Sequence, residues 1–188
     1  HKTNIEHGGE WIECRILSSG VRTNPWMQES SNKIIQSGEI VSFDTDMVGP
    51  YGYCADISRT YVEGNKFSES QKKLYLMAVE QINHNSSLIK PGMSFKEFTE
   101  KSWVLPEEYY GNRYSVMVHG IGLCDEWPAI RYPTDGGERN GVFEKNMTIT
   151  IESYIGKVGG KQGVKLEQQY LVGQNCLELM SHHPLEDL

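Results

Sequence analysis

The 188-residue sequence lacks the features that mark several common protein classes. It has no apolar run near the roughly 20 residues that a membrane span requires, which argues against a membrane protein. A formal net charge of -7 argues against a nucleic-acid-binding protein, because such proteins normally present a basic face. No two of the four cysteines form a CxxC pair, so neither a zinc knuckle nor a dense disulfide framework is indicated. We therefore predict reduced thiols and a cytoplasmic location.

The opening of the chain is polar and has neither an initiator Met nor a recognisable signal peptide. We expect the sequence to be a fragment, or a domain of a longer protein. With 38% hydrophobic and 10% aromatic residues, it has the composition of a globular protein, and its length suits one domain with a substantial core.

The order of apolar patterns and turns predicts an α+β domain, with helices covering an antiparallel sheet. A capping box at residues 68–71 begins the first helix, which should end near residues 84–85, and Ser94 should cap a second helix. Residues 128–141 are predicted to be loop. Strands are predicted at residues 10–18, 39–47, 53–62, 113–119, 147–155 and 163–172.

Three carboxylates occur in one strand–turn–strand segment. Asp44 and Asp46 are two residues apart and share a face of the predicted strand, and Asp56 follows a tight turn that can fold back beside them. Carboxylates held together repel one another strongly unless a cation lies among them. An exposed acidic hairpin is the alternative, but the flanking residues are largely apolar.

Three further candidate ligands follow along the chain. His119 begins a His-Gly-Ile-Gly segment, and Glu152 and Glu167 each lie inside a β-type run. Taken singly, the histidine is more typical of a core residue and each glutamate of a surface residue. Taken together with the three aspartates, they form an oxygen-rich set with one imidazole, which suits a pair of divalent metal ions better than a structural zinc. The set predicts an enzyme that uses iron, manganese, cobalt or zinc.

Five separated motifs carry a resemblance to a known superfamily. They are Lys-Pro-Gly-Met-Ser at 90–94, Gly-Tyr-Cys-Ala-Asp-Ile-Ser-Arg-Thr-Tyr at 52–61, the segment at 119–122, Ile-Glu at 151–152 and Gly-Val-Lys-Leu-Glu at 163–167. Over about residues 10 to 175 the chain resembles the creatinase/aminopeptidase, or pita-bread, superfamily. The resemblance implies a pita-bread fold with a dinuclear metal site. It also implies that residues 1–188 form a C-terminal catalytic domain, preceded by an N-terminal domain in a protein that is often a homodimer.

The sequence departs from the peptidases of that superfamily at three places. Thr45 stands where their first aspartate normally lies, and the loop at residues 23–27 lacks their histidine. A further histidine after the His-Gly-x-Gly segment is also absent. The Asp-Thr-Asp string and Asp125, six residues after His119, are instead similar to the dimethylsulfoniopropionate lyase branch, which releases dimethyl sulfide and acrylate.

That branch resemblance implies a role for each site residue. Asp125 would be the general base and Tyr114 the site tyrosine, and we expect Tyr114 and Trp127 to hold the sulfonium of a small-molecule substrate by cation–π contacts. Asp125 could instead be a loop acid or a helix N-cap, and Tyr114 a core residue. An Xaa-Pro metallopeptidase and a metal-free binding module remain alternative functions. Two metal ions, iron in the first place, would be bound by Asp44, Asp46, Asp56, His119, Glu152 and Glu167.

Overall fold

Antiparallel strands form three sheets in the computed structural model, which describes residues 1–64, 66–136, 140–186 and 188. The sheet orders are β1-β4-β5, β2-β3-β6 and β11-β10-β9-β7-β8. The strands are β1 Trp11–Ile12, β2 Leu17–Ser19, β3 Ile40–Asp44, β4 Met47–Val48, β5 Cys54–Ala55, β6 Ser58–Val62, β7 Val116–Gly120, β8 Ala129–Arg131, β9 Thr148–Ile155, β10 Val164–Val172 and β11 Leu177–Leu179. The helices are α1 Lys2–Glu6, α2 Glu69–Leu88, α3 Phe95–Lys101 and α4 Glu107–Tyr110. None of the helices in these described ranges has the length and apolar character of a membrane span.

The predicted α+β order is confirmed, and β9 and β10 lie within one residue of their predicted bounds. The prediction that residues 128–141 are loop is wrong in part, because β8 lies there and pairs with β7. Strand β7 begins three residues later than predicted. Arg113, which precedes it, turns away to form an ion pair with Asp135 instead of entering the ladder. Both differences depend on which distant residues pair with these segments, and a local sequence pattern does not specify those partners.

The two strands that carry the aspartates are each broken, where continuous strands were predicted. The breaks fall opposite one another, at residues 45–46 and 56–57. The Thr45 hydroxyl spans them, since its Oγ1 accepts from the Ile57 amide at 3.1 Å and lies 3.2 Å from the Ile57 carbonyl oxygen. This side chain replaces ladder hydrogen bonds at the break. It thereby leaves Asp46 and Asp56 free of regular strand geometry.

Helix α2 begins at the predicted capping box and runs past its predicted end. The Ser68 hydroxyl accepts from the Gln71 amide, while the Gln71 side chain accepts from the Ser68 amide at 2.8 Å. The helix continues to Leu88 because Asn85, a weak helix former, is buried there and accepts a hydrogen bond from the Trp103 amide at 2.8 Å. A tertiary contact therefore overrides the local stop signal.

Strands β9 and β10 present two chemically different faces, both buried. One face carries Ile149, Ile151, Val164 and Leu166 and packs with α2 in the main hydrophobic core. The register pairs Glu152 with Glu167, Thr150 with Gln169 and Tyr154 with Lys165, so these six residues share the opposite face. His119 pairs with Thr150 from β7 and extends that polar face. The alternation thus places apolar side chains under the helix and candidate ligands on the other side.

Arg59 fastens the C-terminal segment to the back of β10. Its guanidinium is buried and donates to the Glu167 carbonyl at 2.6 Å and to the Gln168 side chain at 2.7 Å. It also donates to the carbonyls of His183 and Pro184 in the chain's last residues. One cation therefore satisfies acceptors from two segments, one of which carries Glu167.

Replacing Arg59 with Met should lower the free energy of unfolding by roughly 3 kcal/mol, because several buried acceptors lose a charged donor. Urea denaturation in the presence of EDTA measures the loss. Arg15→Met is the matched control, since Arg15 pairs with Glu29 at the surface and should contribute less than about 1 kcal/mol. Equal effects of the two substitutions would contradict a structural role for Arg59.

Candidate metal centre

All six residues predicted to bind metal lie together at the polar face of β7, β9 and β10. His119 Nε2 lies 3.3 Å from Glu167 Oε1, 3.5 Å from Glu152 Oε1 and 3.7 Å from Asp56 Oδ2. Asp44, Asp56, His119, Glu152 and Glu167 are buried, and Asp46 is half-buried. The exposed acidic hairpin considered for the aspartates is therefore not what the structure shows.

Five of the six candidate ligands fall into two groups that share one residue. Asp56, His119 and Glu167 place one donor atom each within 4.8 Å of one another, and so do Asp44, Asp46 and Asp56. Oxygen-rich groups with at most one imidazole match the ligand preferences of hard and borderline divalent cations. Asp56 belongs to both candidate groups.

Hydrogen bonds fix the orientation of the His119 ring. Nδ1 lies 3.0 Å from the Gly120 carbonyl oxygen, which can only accept, so Nδ1 carries a proton and Nε2 faces the carboxylates. Burial alone would lower the pKa of His119, but hydrogen bonds with Glu152 and Glu167 raise it well above its ordinary value. A divalent cation would replace a proton at Nε2, so metal binding should release protons.

The carboxylates show the electrostatic strain expected of a crowded acidic site. Burial and the neighbouring charge of Glu167 raise the pKa of Asp56 and of Glu152 above the ordinary values. Burial would raise the pKa of Glu167 too, but Lys165 and His119 outweigh it and lower that pKa. Asp56 Oδ1 is buried without a hydrogen-bond partner among the described residues. The donor set and this orphaned oxygen fit bound divalent cations.

Sequence reasoning assigned no role to three other residues at this site. The ammonium of Lys165 lies among the acids, and Thr150 Oγ1 lies 2.7 Å from His119 Nε2. The Cys14 thiol donates to Asp46 Oδ2 at 2.6 Å. The i, i+2 spacing of Lys165 to Glu167 and of Thr150 to Glu152 places each pair on one strand face, a signal that the sequence contains. Nothing in the local sequence points to Cys14.

Asp125 lies on the loop that follows β7, beside the cluster. The base of the loop is held by hydrogen bonds from the Gly120 amide to the Pro128 carbonyl and from the Cys54 amide to the Gly122 carbonyl. A side chain at Gly120 would collide with the Trp127 carbonyl oxygen, so glycine is required there. Burial raises the pKa of Asp125 to about 6, with the charge of His119 opposing and that of Asp46 adding to the shift. The structure places a half-buried carboxylate within the field of two candidate ligands.

The two predicted aromatic contacts lie in different surroundings. Trp127 is 62% exposed and, with Tyr53, lines a cavity of about 410 Å³ that reaches His119. Tyr114 instead donates a hydrogen bond to Glu126 at 3.1 Å, and its ring lies 5.4 Å from the ammonium of Lys165. Trp127 therefore lies at an open cavity, whereas Tyr114 lies next to Lys165.

Comparisons with known proteins identify relatives of this arrangement. The model of metallopeptidase family M24 matches residues 1–174. Dimethylsulfoniopropionate lyase DddP of Roseovarius nubinhibens is 42% identical over 99% of this chain and 42% of its own length, and the protein of the same name from Roseobacter denitrificans is 40% identical over the same shares. The solved Xaa-Pro dipeptidase from Bacillus anthracis has a TM-score of 0.83 at 26% identity, covering 97% of this chain and 50% of that one.

The sheets, helices and structural relatives define a protein of the pita-bread fold, as the motifs indicated. The chain belongs to metallopeptidase family M24. It spans 42% of the length of the two curated lyases that it matches.

Replacing His119 with Ala should weaken Mn²⁺ binding by at least about tenfold, because the imidazole is the one nitrogen donor in the predicted ligand set. Isothermal titration calorimetry, with metal content by mass spectrometry, measures the change. His84→Ala is the control, since His84 lies exposed on α2. Unchanged Mn²⁺ affinity in the His119 variant would remove this residue from the ligand set.

Proposed function

We propose that the protein is a metal-dependent lyase that cleaves dimethylsulfoniopropionate to dimethyl sulfide and acrylate. The observation that carries this proposal is the 42% identity to a dimethylsulfoniopropionate lyase across 99% of the chain. The proximity of six candidate metal ligands, with Asp125 nearby, supports it. The full-length protein is proposed to be a cytoplasmic homodimer in which this chain is the catalytic domain.

The proposed centre holds two divalent ions, iron in the first place, through Asp44, Asp46, Asp56, His119, Glu152 and Glu167. When bound, such ions would supply positive charge that attracts the substrate carboxylate and stabilises negative charge developing next to it.

In the proposed reaction Asp125 takes a proton from the carbon next to the substrate carboxylate. The electron pair of that C–H bond becomes the second bond between the α- and β-carbons. The bond from the β-carbon to sulfur breaks, and its electrons leave with neutral dimethyl sulfide. Acrylate remains, and no attacking water is required, which accords with the missing peptidase histidines.

The cationic sulfonium needs a different environment from the carboxylate. Trp127 and Tyr53 line the cavity that reaches His119, and aromatic faces attract cations. We therefore propose that the sulfonium contacts the ring of Trp127, and that the ring of Tyr53 forms the other side of its binding site. A contact from Tyr114 stays a prediction, since its ring faces Lys165.

Replacing Asp125 with Asn should reduce dimethyl sulfide release by roughly 10²–10⁴-fold, the usual contribution of a placed general base. Headspace gas analysis of the metal-loaded protein measures the rate, and bound metal should be unchanged. Glu107→Gln is the control, because it makes a carboxylate-to-amide change at an exposed position on α4, away from the candidate centre. A wild-type protein that is loaded with metal yet releases no dimethyl sulfide would defeat the proposed function.

The rate should depend on pH through Asp125, whose pKa burial raises to about 6. Only the ionised carboxylate can accept a proton, so kcat/KM should fall about tenfold per pH unit below the midpoint. Bound cations favour the ionised form, so the midpoint should lie at about 6 or lower. Rates between pH 4.5 and 8, with metal content checked at each pH, test this; a midpoint above 7 with full metal occupancy would exclude Asp125 as the base.

An Xaa-Pro metallopeptidase is the second candidate, favoured by the structural likeness to the Bacillus anthracis dipeptidase. The departures from the peptidase pattern in the sequence weigh against it, since Thr45 stands in the position of the first aspartate. Incubation of the Mn²⁺-loaded protein with an Xaa-Pro dipeptide distinguishes the two, because only a peptidase releases free proline.

A further inference from the structure

Lys165 lies at the candidate metal centre, and the proposed reaction gives it no role. Its side chain is 1% exposed, and its ammonium lies 2.5 Å from Glu152 Oε2, 3.3 Å from Glu167 Oε2 and 3.8 Å from Asp44 Oδ2. It also donates to the Ser58 hydroxyl at 2.7 Å. A buried lysine is costly unless its charge is matched, and here three candidate metal ligands match it.

The rest of the environment of the ammonium also favours a cation. The rings of Trp26 and Tyr114 lie 5.1 and 5.4 Å from it, within the range of cation–π attraction. The Thr60 hydroxyl bonds to both the amide and the carbonyl of Lys165 and fixes the backbone beneath it. The position is thus built for a permanent positive charge, with acids on one side and aromatic faces on the other.

The charge of Lys165 contributes to the charge balance of the cluster. With the His119 imidazole neutral, five carboxylates and one ammonium leave four negative charges, which two divalent cations would balance. Without Lys165, the carboxylates of the metal-free cluster would keep only a protonated His119 as counter-charge among the described residues, whereas a single negative charge would remain unbalanced after two divalent ions were bound. The loss of the lysine should therefore harm the metal-free protein more than the metal-bound one.

We propose that Lys165 is a built-in counter-cation of the centre, which holds the ligand carboxylates together when metal is absent and sets the charge that two divalent ions complete. This inference rests on the metal centre proposed above. Lys165 is a positioning residue in this view, because it acts through Glu152 and Glu167 and not on substrate.

The test compares melting temperatures in EDTA and in Mn²⁺ for wild type, Lys165→Met, Lys165→Arg and Lys161→Met, with Mn²⁺ content measured in each. In EDTA, Lys165→Met should melt roughly 10 °C below wild type, as expected for a broken buried ion pair in a chain of this size. Mn²⁺ should recover more than half of that difference. Lys165→Arg keeps the charge, so its melting temperature in EDTA should fall less than that of Lys165→Met. Lys161→Met changes an exposed site and should have the melting temperature of wild type.

The outcomes separate this inference from the metal centre itself. Suppose that wild type binds Mn²⁺ but the melting temperature of Lys165→Met lies equally far below that of wild type with and without Mn²⁺. Lys165 then has only a packing role, and the inference fails while the metal centre stands. If wild type binds no Mn²⁺, the metal centre and the inference both fail. If Lys165→Met folds only when Mn²⁺ is present, the inference is supported. If it folds under neither condition, metal does not substitute for the lysine charge and the inference is overturned.

Discussion

Repulsion among carboxylates is the constraint on which the rest of this structure depends. Five acids from separate strands and loops are buried or half-buried in one cluster, in which Asp56, Glu152 and Glu167 lie within 3.7 Å of the His119 imidazole and Asp44 and Asp46 lie beside Asp56. Such a cluster is stable only when positive charge is distributed through it, since burial strengthens every interaction between charges. The surrounding architecture, from the broken aspartate strands to the polar face of β9 and β10, serves to aim these oxygens at a common volume.

Much of this site could be predicted from the sequence, because its ligand types are unusual in their settings. Asp44 and Asp46 among apolar residues, and Glu152 in a β-branched run, contradict local propensity unless a cation compensates for them. The structure places all six side chains in one cluster, and their role as metal ligands stays a prediction. Long strands with a regular alternation, such as β9 and β10, were also predictable, since their pattern is local.

The parts that escaped prediction depend on contacts between distant segments. The breaks at residues 45–46 and 56–57 require the Thr45 side chain to bond to the backbone of Ile57, twelve residues away, which no propensity encodes. Helix α2 extends because a distant amide satisfies Asn85. The Cys14 thiol reaches Asp46 only because β1 pairs with β4. A cation on the same strand face as Glu167 was visible in the spacing, but its role depends on the acids that meet it.

The alternation of β9 and β10 has a genetic consequence. A one-codon insertion or deletion within residues 164–172 would exchange the two faces of β10. Leu166 would then enter the acidic cluster while a glutamate turned toward the apolar surface of α2. Selection should therefore remove one-codon insertions and deletions in this strand far more strictly than conservative replacements at the same positions. Surface turns such as residues 157–161 can tolerate variation in length that the strand cannot.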